Sequence, residues 1–332
     1  MSIEVLQQGM LTTVQDLGRH TYQQYGVPVG GAMDTVALRI ANMLVGNAEG
    51  EAGLEITIIG PKLLIKQTTL IAIGGANMEP LLNGKRVPLW RPVLAKEGSM
   101  LCFKKIQSEC RAYVAFAGGI HVPDVMKSKS TYMRANLGGL EGRALQKGDQ
   151  LQIGSPSLWA KRVIQQLVNE KQDTTMWGVN YSCLPNYHHC PKIRVVEGLE
   201  FEKFTEESRH SFFTKQFKVS NYADRMGYRI DGEQVTVEGK LELLSDTVTH
   251  GTIQVPPEGQ PIILMADRQT TGGYPRIANV ISIDIPLLAQ LKPGDYLSFS
   301  KISVIEAQQL YIKQEQTMYL LKMFIKLKGE KA

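Results

Sequence analysis

Four cysteines in 332 residues is a low density, and it excludes a scaffold built on disulfides. Cys102, Cys110, Cys183 and Cys190 are therefore expected as free thiols in a reducing, cytoplasmic setting. The opening Met1-Ser2-Ile3-Glu4-Val5 has no basic flank followed by an apolar run, and no apolar run in the chain is long enough to span a bilayer. Strong charge of one sign is also missing. The 37 Lys and Arg stand against 32 Asp and Glu, and a net charge of +5 is too small for the basic footprint of a nucleic-acid binder. Neither nucleic acid nor membrane is expected as a partner. The Gly-Lys-Ser/Thr phosphate loop, the Gly-spaced dinucleotide fingerprint and the His-Glu-x-x-His of zinc peptidases do not occur, which excludes a self-sufficient nucleotide or metal machine of those kinds.

What the chain does have is 43% hydrophobic residues, ample for a core, over a length greater than one usual domain. Short apolar or alternating runs punctuated by Gly and Pro recur at 56–59, 63–65, 70–73, 113–116, 193–196, 262–265 and 280–283. Their β-branched content and length predict strands and a mainly β fold with a few helices. A helix is predicted over 33–45, capped by Asp34 and stopped by Gly46-Asn47.

The two halves share a signature. Leu145-Gln146-Lys147-Gly148-Asp149-Gln150-Leu151 and Leu291-Lys292-Pro293-Gly294-Asp295-Tyr296-Leu297 each put a Gly-Asp turn before an alternating strand, 146 positions apart. The repeat predicts one domain over 1–155 and a related one over 192–300. The Pro-bearing segment 156–191 reads as a connector containing one helix, 158–169. Beyond 300, Ala307, Leu310, Tyr311, Met318, Leu321 and Ile325 mark the apolar side of a tail helix over 301–332, expected to dock on its own domain, with Lys313, Lys322 and Lys326 on the other side.

The densest polar cluster follows the run at 261–266. Asp267, Arg268, Thr271 and Tyr274 surround Gly272 and Gly273, which let a backbone approach a ligand closely. Residue types alone leave two readings, a ligand site or a loop in which Asp267 and Arg268 pair with each other. A second cluster, Asp224-Arg225-Met226-Gly227-Tyr228-Arg229, offers guanidiniums for a carboxylate or phosphate, or a solvated strand face. Asp16 and Arg19 lie ahead of the Gly30-Gly31 turn, and Ser128, Lys129, Ser130 and Tyr132 bring hydroxyls beside an amine. A Ser–Lys nucleophilic pair needs that amine neutralised by burial, so substrate contact or a polar loop is preferred. Cys183, His188, His189 and Cys190 have the chemistry of zinc ligands, but not the paired spacing, and no metal is expected.

Taken together, Thr13-Val14-Gln15-Asp16-Leu17-Gly18-Arg19, Gly30-Gly31-Ala32-Met33-Asp34, Asn42-Met43-Leu44-Val45-Gly46-Asn47, Ser130-Thr131-Tyr132, Asp224 to Arg229, Gly251-Thr252-Ile253-Gln254-Val255-Pro256 and the 267–275 loop closely resemble the KipA family. Members of that family are known as the C component of bacterial 5-oxoprolinase and are similar to one half of the carboxyltransferase region of urea carboxylase. The resemblance implies two cyclophilin-like β-barrel domains. It also implies two partners, a KipI-type subunit and a third one, in an ATP-dependent complex that opens 5-oxoproline to glutamate. In that setting Asp267, Arg268 and Arg225 are expected to be catalytic, with Thr271, Tyr274, Gly272, Gly273, Ser130, Tyr132, Asp16 and Arg19 at the substrate.

Two other functions stay open on the same resemblance: antagonism of a KipI-type histidine-kinase inhibitor, and carboxyl transfer with a biotin carrier. The chain has no biotinylation segment, so biotin is not expected on it. One departure stands out. Where the family usually reads Gly-Ser-Arg-Ser-Thr-Tyr, this chain has Lys127-Ser128-Lys129-Ser130-Thr131-Tyr132, which loses the guanidinium fork and the glycine.

Overall fold

The computed structural model describes residues 2–239, 241 and 243–330. The chain divides into two compact units. One takes Met1–Arg19, Asp34–Pro185 and Gln316–Ala332, and the other His20–Met33 and Asn186–Glu315. Both are mainly β, as the short alternating runs predict, and each has its own core. Among the described residues no helix is long and apolar enough to cross a membrane.

In the first unit a five-stranded antiparallel sheet runs in the order Leu11–Gln15, Gly53–Thr57, Ser108–Phe116, Thr69–Asn77 and Val93–Ala95. A seven-stranded sheet includes Ser2–Gln7, Lys62–Ile65 and Gln150–Ile153. Alternation explains how they join: Ala112, Val114 and Phe116 enter a core shared with Ile3, Val5, Leu63 and Leu151 of the other sheet. Helix α1 (Thr35–Leu44) packs on the central strands of the five-stranded sheet, so Tyr113 and Ala115 are buried too. Asp34 caps α1 as the sequence predicts, its Oδ1 accepting from the Ala37 amide at 2.9 Å. Helix α2 (Leu158–Asn169) has the predicted bounds.

In the second unit seven strands close into a barrel, in the order Lys192–Glu197, Arg276–Val280, Thr252–Gln254, Ile262–Leu264, Gly227–Asp231, Gln216–Val219 and Tyr296–Lys301, the last pairing in parallel with the first. Phe212, on helix α3 (Glu206–Thr214), stacks on Phe299 with ring centroids 4.4 Å apart, which plugs the barrel interior. A short helix, α4 (Ile285–Ala289), follows the strand that ends at Val280. Helix α5 (Val304–Glu330) starts in this unit, but from Gln316 on, with the buried Met318, Leu321 and Ile325, it belongs to the first unit and not, as the sequence predicts, to its own domain; Tyr311 stays half exposed.

Three of the predicted strands end early, the run 262–265 by one residue at Leu264. The run 56–59 leaves its strand at Thr57 because Ile58 takes φ +59° to turn the chain. The run 280–283 stops at Val280 because Ser282–Asp284 winds into a 3-10 turn. There the fully buried Asp284 carboxylate accepts from the Arg194 amide at 2.7 Å and from its guanidinium at 3.0 and 2.5 Å. Pro286 then favours a helix start.

The internal repeat is real at the level of individual hydrogen bonds. Gly148 and Gly294 both sit at φ +94°, where only glycine rests without strain. Each donates its amide to a valine carbonyl, Val5 at 2.7 Å and Val219 at 2.9 Å, and each following aspartate carbonyl accepts back from that valine at 2.9 and 2.8 Å. The carboxylates of Asp149 and Asp295 close their own turns on the amides of Gln146 and Lys292, at 2.7 and 3.0 Å.

Candidate functional site

In the first unit, the segments around Asp16 and Ser130 meet in a buried polar knot. The Asp16 carboxylate accepts from the Gly18 amide at 2.7 Å, the Ser128 hydroxyl at 2.8 Å, the Lys129 amide at 2.6 Å and the Ser130 hydroxyl at 2.5 Å. Arg19, fully buried, donates from Nη2 to the Ser130 carbonyl at 2.5 Å. Tyr132 is half-buried and pairs through its backbone with Leu137. Lys129 Nζ lies 2.6 Å from Glu51 Oε1, so the amine beside Ser130 is engaged in an ion pair with that carboxylate. The Asp16, Arg19 and Ser130 cluster thus ties the 128–132 loop to the strand Leu11–Gln15.

Just before the knot, Val125 and Ser128 exchange backbone hydrogen bonds around Met126 and Lys127, at φ +54° and +59°. Two consecutive positive φ angles define the tight turn that favours Asn-Gly, and neither residue here is suited to it. Lys127→Gly, which restores the glycine implied by the family resemblance, is expected to stabilise the chain by about 1 kcal/mol. Urea unfolding would show this as a higher midpoint at unchanged slope; a lower midpoint would mean that the lysine side chain stabilises the turn.

In the second unit, Asp267 pairs not with its neighbour Arg268 but with Arg225, 42 residues away. The contact is a two-pronged buried bridge, Nε to Oδ2 at 2.9 Å and Nη2 to Oδ1 at 3.0 Å. Arg225 Nη2 also donates to the Gly31 carbonyl at 2.6 Å, and Gly30 donates to the Ala266 carbonyl, so the Gly30-Gly31 turn belongs to this cluster. Both aspartate oxygens are engaged, which suits a group that holds the loop in place. Thr271 and Gly272 form a two-residue strand against Asp246–Thr247. A Cβ at Gly272 would come within 2.5 Å of Gln254 Nε2, so a larger residue there would have to displace the end of that side chain. Gly273 and Tyr274 are exposed at the loop surface.

Arg268 is the residue left over by this pairing. Its side chain donates one long hydrogen bond, 3.5 Å to the Met265 carbonyl, and its Nε is shut off from solvent with no partner among the described residues. Burial without a counterion pushes its pKa down to about 10. A partly buried cation in this condition attracts an anion.

His250 is the group that sequence reasoning missed. It is half-buried, but its Nε2 has neither solvent nor a hydrogen-bond partner among the described residues. Burial first, then the charges of Arg268 and Arg225, hold its pKa down to about 3, so it is neutral at physiological pH. Two backbone ties, Val248 to the Thr270 carbonyl at 3.1 Å and Gly251 to the Leu264 carbonyl at 2.8 Å, bracket it against the segment that carries Arg268. A lone histidine in Thr249-His250-Gly251 matches no motif, and only its unmade hydrogen bond marks it out.

Among the described residues no group of three or more His, Cys, Asp or Glu side chains is arranged to hold a metal, and the four cysteines are free thiols.

The family described as carboxyltransferase domain, subdomain A and B, matches residues 25–301. The chain is 39% identical to the C component of 5-oxoprolinase from Escherichia coli strain K12 over 328 residues, covering 99% of each protein. It is 36% identical to the same component from Haemophilus influenzae over 313 residues, covering 94% of this chain and 95% of the relative. Among solved structures, K. lactis urea amidolyase superposes with a TM-score of 0.87 at 31% identity, covering 96% of this chain but 20% of that one.

Proposed function

The chain belongs to the carboxyltransferase domain, subdomain A and B, family, and from that premise we propose that it is the C component of an ATP-dependent 5-oxoprolinase. The observation that carries this reading is the near-complete mutual coverage with two proteins of that name, against the one-fifth share it covers in the urea amidolyase. Its partners in this reading are a KipI-type subunit and a third one, and the chain is inactive alone.

A lactam carbonyl resists water, and ATP supplies the activation. The carbonyl oxygen attacks the γ-phosphorus and ADP leaves. Water adds at the activated carbon, the ring C–N bond breaks, and a second water releases phosphate from the acyl phosphate to give glutamate. The part assigned to this chain is ligand placement. Arg268 holds the substrate carboxylate as its missing counterion, Arg225 and Asp267 fix the loop, and Thr271 and Tyr274 border it. ATP is consumed by the complex, and biotin has no part.

Likeness to urea amidolyase over nearly the whole chain favours one second reading, carboxyl transfer from a biotin carrier. One experiment separates the two. The chain is purified alone and co-purified with its two partners, and each sample is assayed for glutamate release and ADP formation on 5-oxoproline. The expected result is coupled turnover by the complex and none by the chain. A biotinylated band in the complex, with carboxylation of urea and no cleavage of 5-oxoproline, would replace this reading with the second.

A further inference from the structure

We propose that His250 is a ligand contact of this site, its Nε2 lone pair receiving the ring N–H of the lactam whose carboxylate pairs with Arg268. The inference rests on 5-oxoproline being the substrate. It starts from the two polar groups of the second unit that, among the described residues, are shut off from solvent and unsatisfied, Nε of Arg268 and Nε2 of His250, on segments that backbone hydrogen bonds tie together. Groups of this kind cost free energy unless something completes them, and a ligand can do so.

The two groups ask for different things. Arg268 carries an unbalanced charge and needs an anion. Burial, and then the charges of Arg268 and Arg225, keep a second proton off the His250 ring, so it is neutral, offers a lone pair and can take an N–H. In 5-oxoproline a carboxylate and an N–H stand on either side of one carbon, so a neighbouring cation and acceptor read them together. A hydrogen bond accepted from the ring N–H also pushes electron density through the amide onto the carbonyl oxygen, the atom that attacks phosphorus. The proton stays on the lactam nitrogen, because an imidazolium with a pKa of about 3 does not hold a second proton. The backbone supports the placement: the ties from 248 to 270 and from 251 to 264 confine His250 beside the 264–270 segment whatever its side chain.

The test uses the assembled complex and a pair of ligands, 5-oxoproline and its ring-oxygen analogue 5-oxotetrahydrofuran-2-carboxylate, which keeps the carboxylate but has no N–H. For the wild type, the KM for the lactam and the Ki of the lactone should differ by about tenfold or more in favour of the lactam. His250→Phe should abolish that preference while leaving lactone affinity within about twofold. His250→Gln, whose amide oxygen accepts, should restore part of it, and serves alone if the phenylalanine variant does not assemble. Equal weakening of both ligands in the variants, or an unchanged preference, would overturn the role of His250 and leave the oxoprolinase reading standing. A wild-type complex that does not turn over 5-oxoproline would overturn both.

Discussion

Replacing Arg268 with methionine is expected to reduce 5-oxoproline cleavage by the assembled complex by about 10²-fold or more, with the stability of the chain unchanged or raised. The two halves of that expectation come from one observation. A guanidinium with a 3.5 Å hydrogen bond and an enclosed, unpartnered Nε does little for the folded state, since its desolvation is not repaid there. Methionine keeps the length and apolar stem without the charge. In the proposed complex the same guanidinium meets a carboxylate, and truncating one partner of a buried charge pair costs about 2–5 kcal/mol of binding. Steady-state kinetics and urea unfolding on one preparation check both. Loss of activity together with loss of stability would mean that Arg268 is structural.

Asp267→Ala should behave in the opposite way. Its carboxylate holds Arg225 through two hydrogen bonds in a buried bridge, and removing it leaves a buried cation facing an alanine. Breaking a buried pair from one side costs about 3–5 kcal/mol, a large fraction of the stability of a domain of this size. The double variant Asp267→Ala with Arg225→Met should recover part of the loss, because the uncompensated charge goes with it. Some deficit remains, since Arg225 also bonds the Gly31 carbonyl at 2.6 Å. Urea midpoints of the three variants measure this directly. A single variant as stable as the wild type would show that the bridge contributes nothing to the fold.

The contrast between these two adjacent residues also shows what the sequence could reveal. Local signals were legible: the Gly-Asp turns at 148 and 294 and the Asp34 cap are decided within a few residues, and the structure has them where the residue types put them. The 267–275 loop was visible as a cluster, but its wiring was not. Which arginine Asp267 chooses depends on the barrel bringing the strand Gly227–Asp231 beside Ile262–Leu264, a pairing that no local pattern encodes. The same holds for Asp16, whose four hydrogen-bond donors include three from 128–130. His250 was invisible for a different reason. Its distinguishing property is a hydrogen bond it lacks, and only coordinates report that. The early ends at Thr57 and Val280 came from a single backbone angle and a buried aspartate, neither of which apolar runs reveal.

The central claim is that Arg268 is a cation held ready for the carboxylate of a small ligand. It is tested most directly by calorimetric titration of the assembled complex, wild type and Arg268→Met, with 5-oxoproline and with 2-pyrrolidinone, which has the same ring without the carboxylate. The wild type is expected to prefer the acid strongly and the variant to bind the two ligands alike. A variant that keeps the full preference for the acid would contradict the claim.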